Sequence, residues 1–218
     1  MTKPRIPETG DGIQGESIVT DYDEMQRSLR DRGWIETKLL IDHGFIRGHA
    51  LEIGPGPGYL GLEWLKHTSG TRLTGLDISP DMRALAIRNA QSYGLSERAQ
   101  YQLGNGERLP FIDATFDFVF TNGSLHEWAN PKGTFNEIER VLKPGGRYLI
   151  SDLRRDVNPL AFGLLWLACR PGSMRPGLIS SINAAYTTSE LPNLLTGTRL
   201  SGAKVEGQFV GNLIFGIK

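Results

Sequence analysis

The chain has a single cysteine, Cys169, among its 218 residues. One thiol excludes an intramolecular disulfide and a cysteine-based zinc cluster, and it fits a reducing compartment. A charge excess is also absent: Lys plus Arg and Asp plus Glu both number 24, so the formal net charge is zero. That argues against a mainly electrostatic grip on nucleic acid or anionic lipid, which needs a basic excess or stripe. Long apolar runs are missing too. The longest, LAFGLLWLAC at 160–169, is roughly half of what a bilayer crossing requires. The N-terminus, MTKPRIPETGDGIQGES, has no apolar stretch, so no secretory leader is expected and the cytoplasm is the expected location. No segment repeats and none is of low complexity.

What the sequence does contain is an alternation of two kinds of segment. HALEIG (49–54) is a short apolar strand that runs into glycines, and YLGLEWLKH (59–67) has helical period. TRLTGLDI (71–78) is a strand. SPDMRALAIRNAQSYG then opens with Ser79 and Pro80, a helix start, and stops at Gly94. AQYQLGN and FDFVFTNG (116–123) are strands, PKGTFNEIERVLKPGG is a helix, and RYLISDL (147–153) is a strand. Such alternation predicts a parallel sheet with helices on both faces. Near the end, AKVEGQFVG and NLIFGIK are read as an antiparallel strand pair with a tight turn at Gly211 and Asn212. The helix TTSELPNLLTGT before them is read as interrupted by Pro192. Residues 1–20 are read as a flexible arm, and Asp21 as the cap of a helix that Gly33 divides. The remainder, 21–218, is read as one domain.

Chemistry concentrates at LEIGPGPGYLG (51–61). A strand, then glycines, then a helix, lets the backbone approach a nucleotide-like ligand and offers it unpaired amides. Asp77 ends the next strand, where an acid can accept hydrogen bonds from both ribose hydroxyls. Gly56, Gly58 and Gly61 also satisfy the dinucleotide pattern, so a nicotinamide cofactor stays open on this cluster alone. Glu52, two residues before Gly54, weighs against it: a carboxylate beside a pyrophosphate is electrostatically poor, whereas it suits an ammonium or a sulfonium.

Taken in order, LEIGPGPGYLG, GLDIS, GNGERLPFIDATFDFVF, SLHEWANP and RVLKPGGRYLISD resemble the motif series of the class I S-adenosylmethionine (SAM) dependent methyltransferases. The resemblance covers about residues 47–153, and the branch it is most similar to is that of the ubiquinone/menaquinone C-methyltransferases and their small-molecule relatives. It implies a Rossmann-like, doubly wound α/β fold: a mostly parallel seven-stranded sheet with an antiparallel C-terminal strand. It implies SAM as cofactor, S-adenosylhomocysteine as product and a small molecule as acceptor. It also implies site residues. Gly54, Gly56 and Gly58 pass under the methionine part and Glu52 bonds its amino end. Asp77 holds the ribose and Ile78 packs on the adenine. Asn105, followed by Gly106, stands where relatives carry an Asp that accepts from the adenine amino group. Asn122 lines the methionine end, and Tyr22 closes over the cofactor.

His126 is expected to act as a general base or an orienting group beside the transferred methyl; its alternative role is a local helix-start contact. Tyr186 is expected to face the acceptor pocket. Segment 154–186 is expected to form a lid over an apolar acceptor, or else a core or dimer-contact element, so a homodimer stays open. Cys169 is expected to be a buried small hydrophobe. No metal, nucleic-acid partner or membrane span is expected. The alternatives to a methyltransferase for small molecules are a SAM-binding protein without transferase activity, a methyltransferase for protein or nucleic acid, and a nicotinamide-linked oxidoreductase.

Overall fold

Strand and helix do alternate along the chain, and the computed structural model, which describes residues 3–8 and 12–218, shows how they assemble. Two helices, α1 (Glu16–Asp31) and α2 (Thr37–Asp42), precede the sheet. Then follow β1 (Gly48–Ile53), α3 (Tyr59–Lys66), β2 (Thr71–Asp77), α4 (Pro80–Ser92), β3 (Ala99–Leu103), β4 (Phe116–Asn122), α5 (Pro131–Val141) and β5 (Leu142–Leu153). Three further helices, α6 (Pro159–Ala168), α7 (Arg175–Ala184) and α8 (Leu191–Leu195), lead into β6 (Lys204–Gly207) and β7 (Gly211–Ile217). The seven strands form one sheet in the order β3-β2-β1-β4-β5-β7-β6. Neighbours from β3 to β5 are parallel, and β7 runs antiparallel to both β5 and β6. Successive crossovers turn outward from β1 in opposite directions, which opens a crevice at the carboxyl ends of β1 and β4.

Alternating strand residues enter two separate cores. On β1, Leu51 and Ile53 pack with Phe135, Ile138 and Val141 of α5. Ala50, just before them and on the opposite face, joins Trp64 and Leu65 of α3 and Phe118 and Phe120 of β4. Because both faces are covered, the central strands read as nearly continuous apolar runs. Trp64 is fully buried and its indole N–H donates to Phe45 O at 2.6 Å.

Helix starts follow their caps. Ser79 accepts from the Met82 amide with Pro80 in the first turn, and Asn158 does the same for α6 through Ala161. Gly33, at φ 71°, stands between α1 and α2 as the break there.

Four local expectations are corrected. Helix α1 begins at Glu16, with Asp21 inside it rather than capping it; Gly15 precedes the first turn and its amide donates to Asp81. Part of the expected arm is tied down: Ile6 N donates to Asn183 O, Arg5 Nε to Ala184 O, and Arg155 Nε to Lys3 O. The last turn lies at 208–210, closed by Gln208 N to Gly211 O, and Asn212 pairs inside the ladder with Gly207. Gly211 serves strand approach instead, since a Cβ there would lie 2.4 Å from Asp152 O. Pro192 starts α8 rather than interrupting it, because a first-turn proline loses no helical hydrogen bond.

Phe120 fills the layer between Phe45 and Trp64 at no exposure. Phe120→Ala is expected to cost about 3–5 kcal/mol of unfolding free energy, read from urea denaturation.

Candidate functional site

The crevice is built first by the loop from β1 into α3. Gly54 turns at φ 66°, and a Cβ there would come within 2.9 Å of Ser124 Cβ, so the chain can pass only as glycine. Asp77, at the end of β2, pins that loop. Its Oδ2 accepts from Gly56 N at 3.0 Å and its Oδ1 from Ser79 N at 2.9 Å. The carboxylate still keeps a lone pair free for a ligand hydroxyl. Burial raises the Asp77 pKa, and the bonds from Ser79, Gly56 and Ile78 oppose the rise.

Glu52 is a different kind of group. It is 3% exposed and its Oε2 is buried with no hydrogen-bond partner. Burial first, then the charge of Asp77, pushes its pKa up to about 8, while the Gly61 amide pulls the other way. Gly61 makes room for it: a Cβ there would sit 2.3 Å from Glu52 Oε2. An unpaired buried carboxylate is costly unless a ligand supplies its counter-charge.

Two adjoining cavities occupy the crevice. The smaller, about 130 Å³, is bordered by Gly56, Asp77, Ile78, Asn105, Gly106 and Ser124. The larger, about 690 Å³, is bordered by Glu52, His126 and Glu127 and by apolar residues of α1, α6 and α7. Tyr22, Gly54, Asn122 and Glu127 border both. Tyr22 lies over the glycine loop, since a Cβ at Gly56 would be 3.3 Å from its Cε1. Its phenol accepts from Gln26 Nε2, and burial and then the Glu127 charge hold its pKa well above the usual tyrosine range.

His126 sits in the 3-10 turn Leu125–Glu127 after β4, 3% exposed. Its Nδ1 meets Asp152 Oδ1 at 2.7 Å, and its backbone amide donates to Asp152 Oδ2 at 2.6 Å. Nε2 has no hydrogen-bond partner; Glu8 Oε2 lies 3.4 Å from it and Glu127 Oε1 4.0 Å. Burial lowers the imidazole pKa, but the Asp152 charge and hydrogen bond, with Glu127 and Glu8, outweigh it and raise it to about 9. Glu127 is raised to about 7, by burial first, against the favourable charge of His126.

Most of the residues expected at the site therefore converge. Three do not stand as expected. Gly58 caps α3 away from both cavities, against the Tyr101 hydroxyl and Ala86, where a Cβ would lie 2.7 Å from Tyr101 Oη. Asn105 borders the small cavity, yet its Oδ1 already accepts from Glu107 N at 2.8 Å, which ties the side chain to its own turn. Tyr186 borders neither cavity among the described residues: the Arg5 guanidinium covers its ring at 4.3 Å and its carbonyl accepts from Asn212. Segment 154–186 does reach the cavity, through Leu165, Ala168, Cys169, Leu178 and Ser181. Cys169 is buried with its sulfur 4.0 Å from Met25 Sδ, and burial pushes its thiol pKa up.

Sequence reasoning missed Asp152 and Glu8. Asp152 was visible only as the last acid of ISD, with no spacing to join it to His126. Glu8 lies in a polar segment that carries no periodic signal.

A family model described as a methyltransferase domain matches residues 51–150. The demethylmenaquinone methyltransferase of Deinococcus radiodurans is 30% identical over 175 residues, covering 78% of this chain and 72% of that protein. A sterol 4-C-methyltransferase of Caenorhabditis elegans is 34% identical over 105 residues, 48% of this chain and 31% of its own length. The ubiquinone/menaquinone biosynthesis C-methyltransferase of Geotalea daltonii is 29% identical, over 67% of this chain and 65% of that protein. The chain thus spans less than a third of the first of these last two relatives and just under two thirds of the second. Among solved structures, a SAM-dependent methyltransferase from Aquifex aeolicus superposes with a TM-score of 0.66 at 20% identity, covering 90% of this chain and 98% of that one. The chain belongs to the class I SAM-dependent methyltransferases. Within that class it is similar to the demethylmenaquinone and ubiquinone/menaquinone C-methyltransferases.

Glu52 gives a test with a definite sign. Its folded pKa lies above the ordinary 4.5. Below pH 4.5 both states hold the proton; between 4.5 and 8 only the folded state does, so stability falls across that window as pH rises. Glu52→Gln is expected to leave stability at pH 4 unchanged and to raise it by about 1–3 kcal/mol at pH 8.5 in ligand-free protein, measured by denaturant titration. The same variant is expected to weaken S-adenosylhomocysteine binding at least tenfold by calorimetry.

Proposed function

We propose that the chain transfers the methyl group of SAM to a small, partly apolar molecule. The observation that carries this reading is the buried carboxylate of Glu52, its Oε2 without a hydrogen-bond partner, beside a glycine loop pinned by Asp77. A pyrophosphate would meet that carboxylate with like charge, whereas an amino-acid ammonium would neutralise it. The residues present fit the cofactor: Glu52 for the ammonium, Asp77 for the ribose hydroxyls, Ile78 and the 105–106 turn for the adenine, and Gly54, Asn122 and Tyr22 about the methionine part. When bound, SAM supplies a methyl already activated by its sulfonium, for direct displacement by the acceptor.

The protein's own work is binding, orientation and exclusion of water. The apolar walls from α1, α6 and α7 hold the acceptor body, and Tyr22 covers the junction of the two cavities. Holding reactants in an attack geometry is worth about 7–11 kcal/mol of barrier, which leaves little need for further chemistry. His126, with its orientation set by Asp152, presents Nε2 at the acceptor end and manages the acceptor's proton. The relatives named for sterol and demethylmenaquinone methylation support an acceptor with an apolar body, in keeping with the cavity walls.

The reading is tested by thermal denaturation. SAM or S-adenosylhomocysteine at one hundred times its Kd is expected to add about 2.7 kcal/mol of stability, while NAD adds none; the opposite pattern removes the proposal. The His126–Asp152 pair is tested by NMR titration of the imidazole. Wild-type His126 is expected near 9. In Asp152→Asn, burial is left with only the more distant carboxylates against it, and the value is expected to fall by about two units. For the wild type, a raised imidazole pKa gives stability that is complete below pH 6.5 and lost as pH rises through 9.

A further inference from the structure

The larger cavity has no lysine or arginine among its described lining residues, yet Glu8, Glu52 and Glu127 all border it. If Glu52 faces the cofactor, the other two remain for the acceptor. Glu8, Glu127 and His126 Nε2 converge within 4.8 Å of one another, from the N-terminal segment and from the turn after β4. His126 is more than nine-tenths buried, and its Nε2 points into this cluster without a hydrogen-bond partner. Asp152 holds Nδ1, so in the neutral ring Nε2 is the acceptor atom. With Nε2 unprotonated, three acceptors face one point in a low-dielectric space, a position that takes either a proton, which the surrounding carboxylates favour on the imidazole, or a cationic donor in its place. The Arg5 guanidinium is already committed to the carbonyls of Ala184 and His126 and to the Tyr186 ring.

A bare metal ion and an organic ammonium both meet that charge requirement. The surrounding walls favour the second. Met25, Leu29, Leu165, Ala168 and Leu178 extend the site into an apolar chamber within a cavity of about 690 Å³, room for an organic body attached to the cation.

We propose, resting on the methyltransferase reading above, that the acceptor is an apolar molecule bearing a basic amine, held as its ammonium by Glu8 and Glu127 beside His126 Nε2. Arrival of the ammonium replaces any proton on Nε2, which leaves to solvent. One N–H proton of the ammonium then passes to Nε2 and frees the nitrogen lone pair. That pair forms the new N–C bond to the methyl carbon as the C–S bond breaks and its electron pair goes to sulfur. The product leaves as a methylated ammonium, and His126 returns its proton to solvent. Anionic acceptors are excluded by the same carboxylates.

The test uses the full chain saturated with S-adenosylhomocysteine, titrated by calorimetry with n-alkylamines of four to ten carbons and with the alkanols and alkanoates of equal length. At least one amine is expected to bind ten times more tightly than its alkanol, with no alkanoate bound. Glu8→Gln is expected to weaken that amine tenfold while leaving the affinity for S-adenosylhomocysteine and for the alkanol unchanged. Glu127 borders both cavities, and Glu127→Gln is expected to weaken the amine at least tenfold more than it weakens the alkanol. The proposal is overturned if no amine outbinds its alkanol, silence of the whole series included, or if the preference survives both substitutions together. It is overturned equally if Mn²⁺ or Zn²⁺ alone binds with unit stoichiometry and is lost in Glu8→Gln, which assigns the cluster to a metal. Failure of S-adenosylhomocysteine to bind at all would instead remove the methyltransferase reading on which the proposal rests.

Discussion

Glu52 stands on the central strand β1, two residues before the chain turns at Gly54, with one carboxylate oxygen sealed from water and bonded to nothing. Desolvation makes its ionised form unfavourable, and Asp77 nearby makes it more so. The fold is therefore electrostatically incomplete where β1 borders the larger cavity. A cationic ligand completes it and an anionic one aggravates it. That single constraint separates a sulfonium donor from a dinucleotide more sharply than the glycine pattern does, because both ligands tolerate the same glycine loop. It also explains Gly61: the first turn of α3 can pack on β1 only if no side chain contests the space of the carboxylate.

The topology then gathers further acids on the same edge. Parallel strands end together, so Glu52 near the end of β1, Asp77 at the end of β2 and Asp152 near the end of β5 come to one rim although they lie far apart in the chain. The reversal of strand order at β1 leaves that rim uncovered by crossovers. Each acid is handled differently. Asp77 is stabilised by backbone amides and organises a loop. Asp152 is compensated by His126 and fixes an imidazole. Glu52 has only the Gly61 amide against its burial and no counter-charge.

What covers the rim comes from the two parts of the chain outside the alternating core. Helix α1 brings Tyr22 over the glycines. Helices α6 and α7 supply apolar walls, and the segment before α1 reaches back so that Glu8 meets His126. Arg5 anchors that segment through the carbonyls of Ala184 and His126, and Arg155 does so through those of Lys3 and Ala185 together with an ion pair to Glu190. These covering elements set the shape and polarity of the larger cavity, while the strand ends and the glycine loop border the smaller one.

The glycine loop between β1 and α3 and the acid that pins it were legible from the chain alone, because their signals are local. Strand, glycines, helix and acid follow one another within 51–77, and a glycine turn or a Ser-Pro helix start acts through neighbouring residues. The alternation of apolar runs likewise determined the parallel sheet, since period and length of a segment are properties of the segment. Other features depended on residues that meet only after folding. Asp152 pairs with His126 across 26 positions, and Glu8 reaches the same imidazole from the far end of the chain. Gly58 reads like its neighbours in the motif, yet only the packing of Tyr101 beneath it shows that it serves helix contact rather than the cleft. Tyr186 looked available until Arg5 was found on its ring. Backbone conformation and periodicity are short-range and can be read along the chain; desolvation, charge pairing and access to a cavity are set by neighbours in space, and only the tertiary structure decided them.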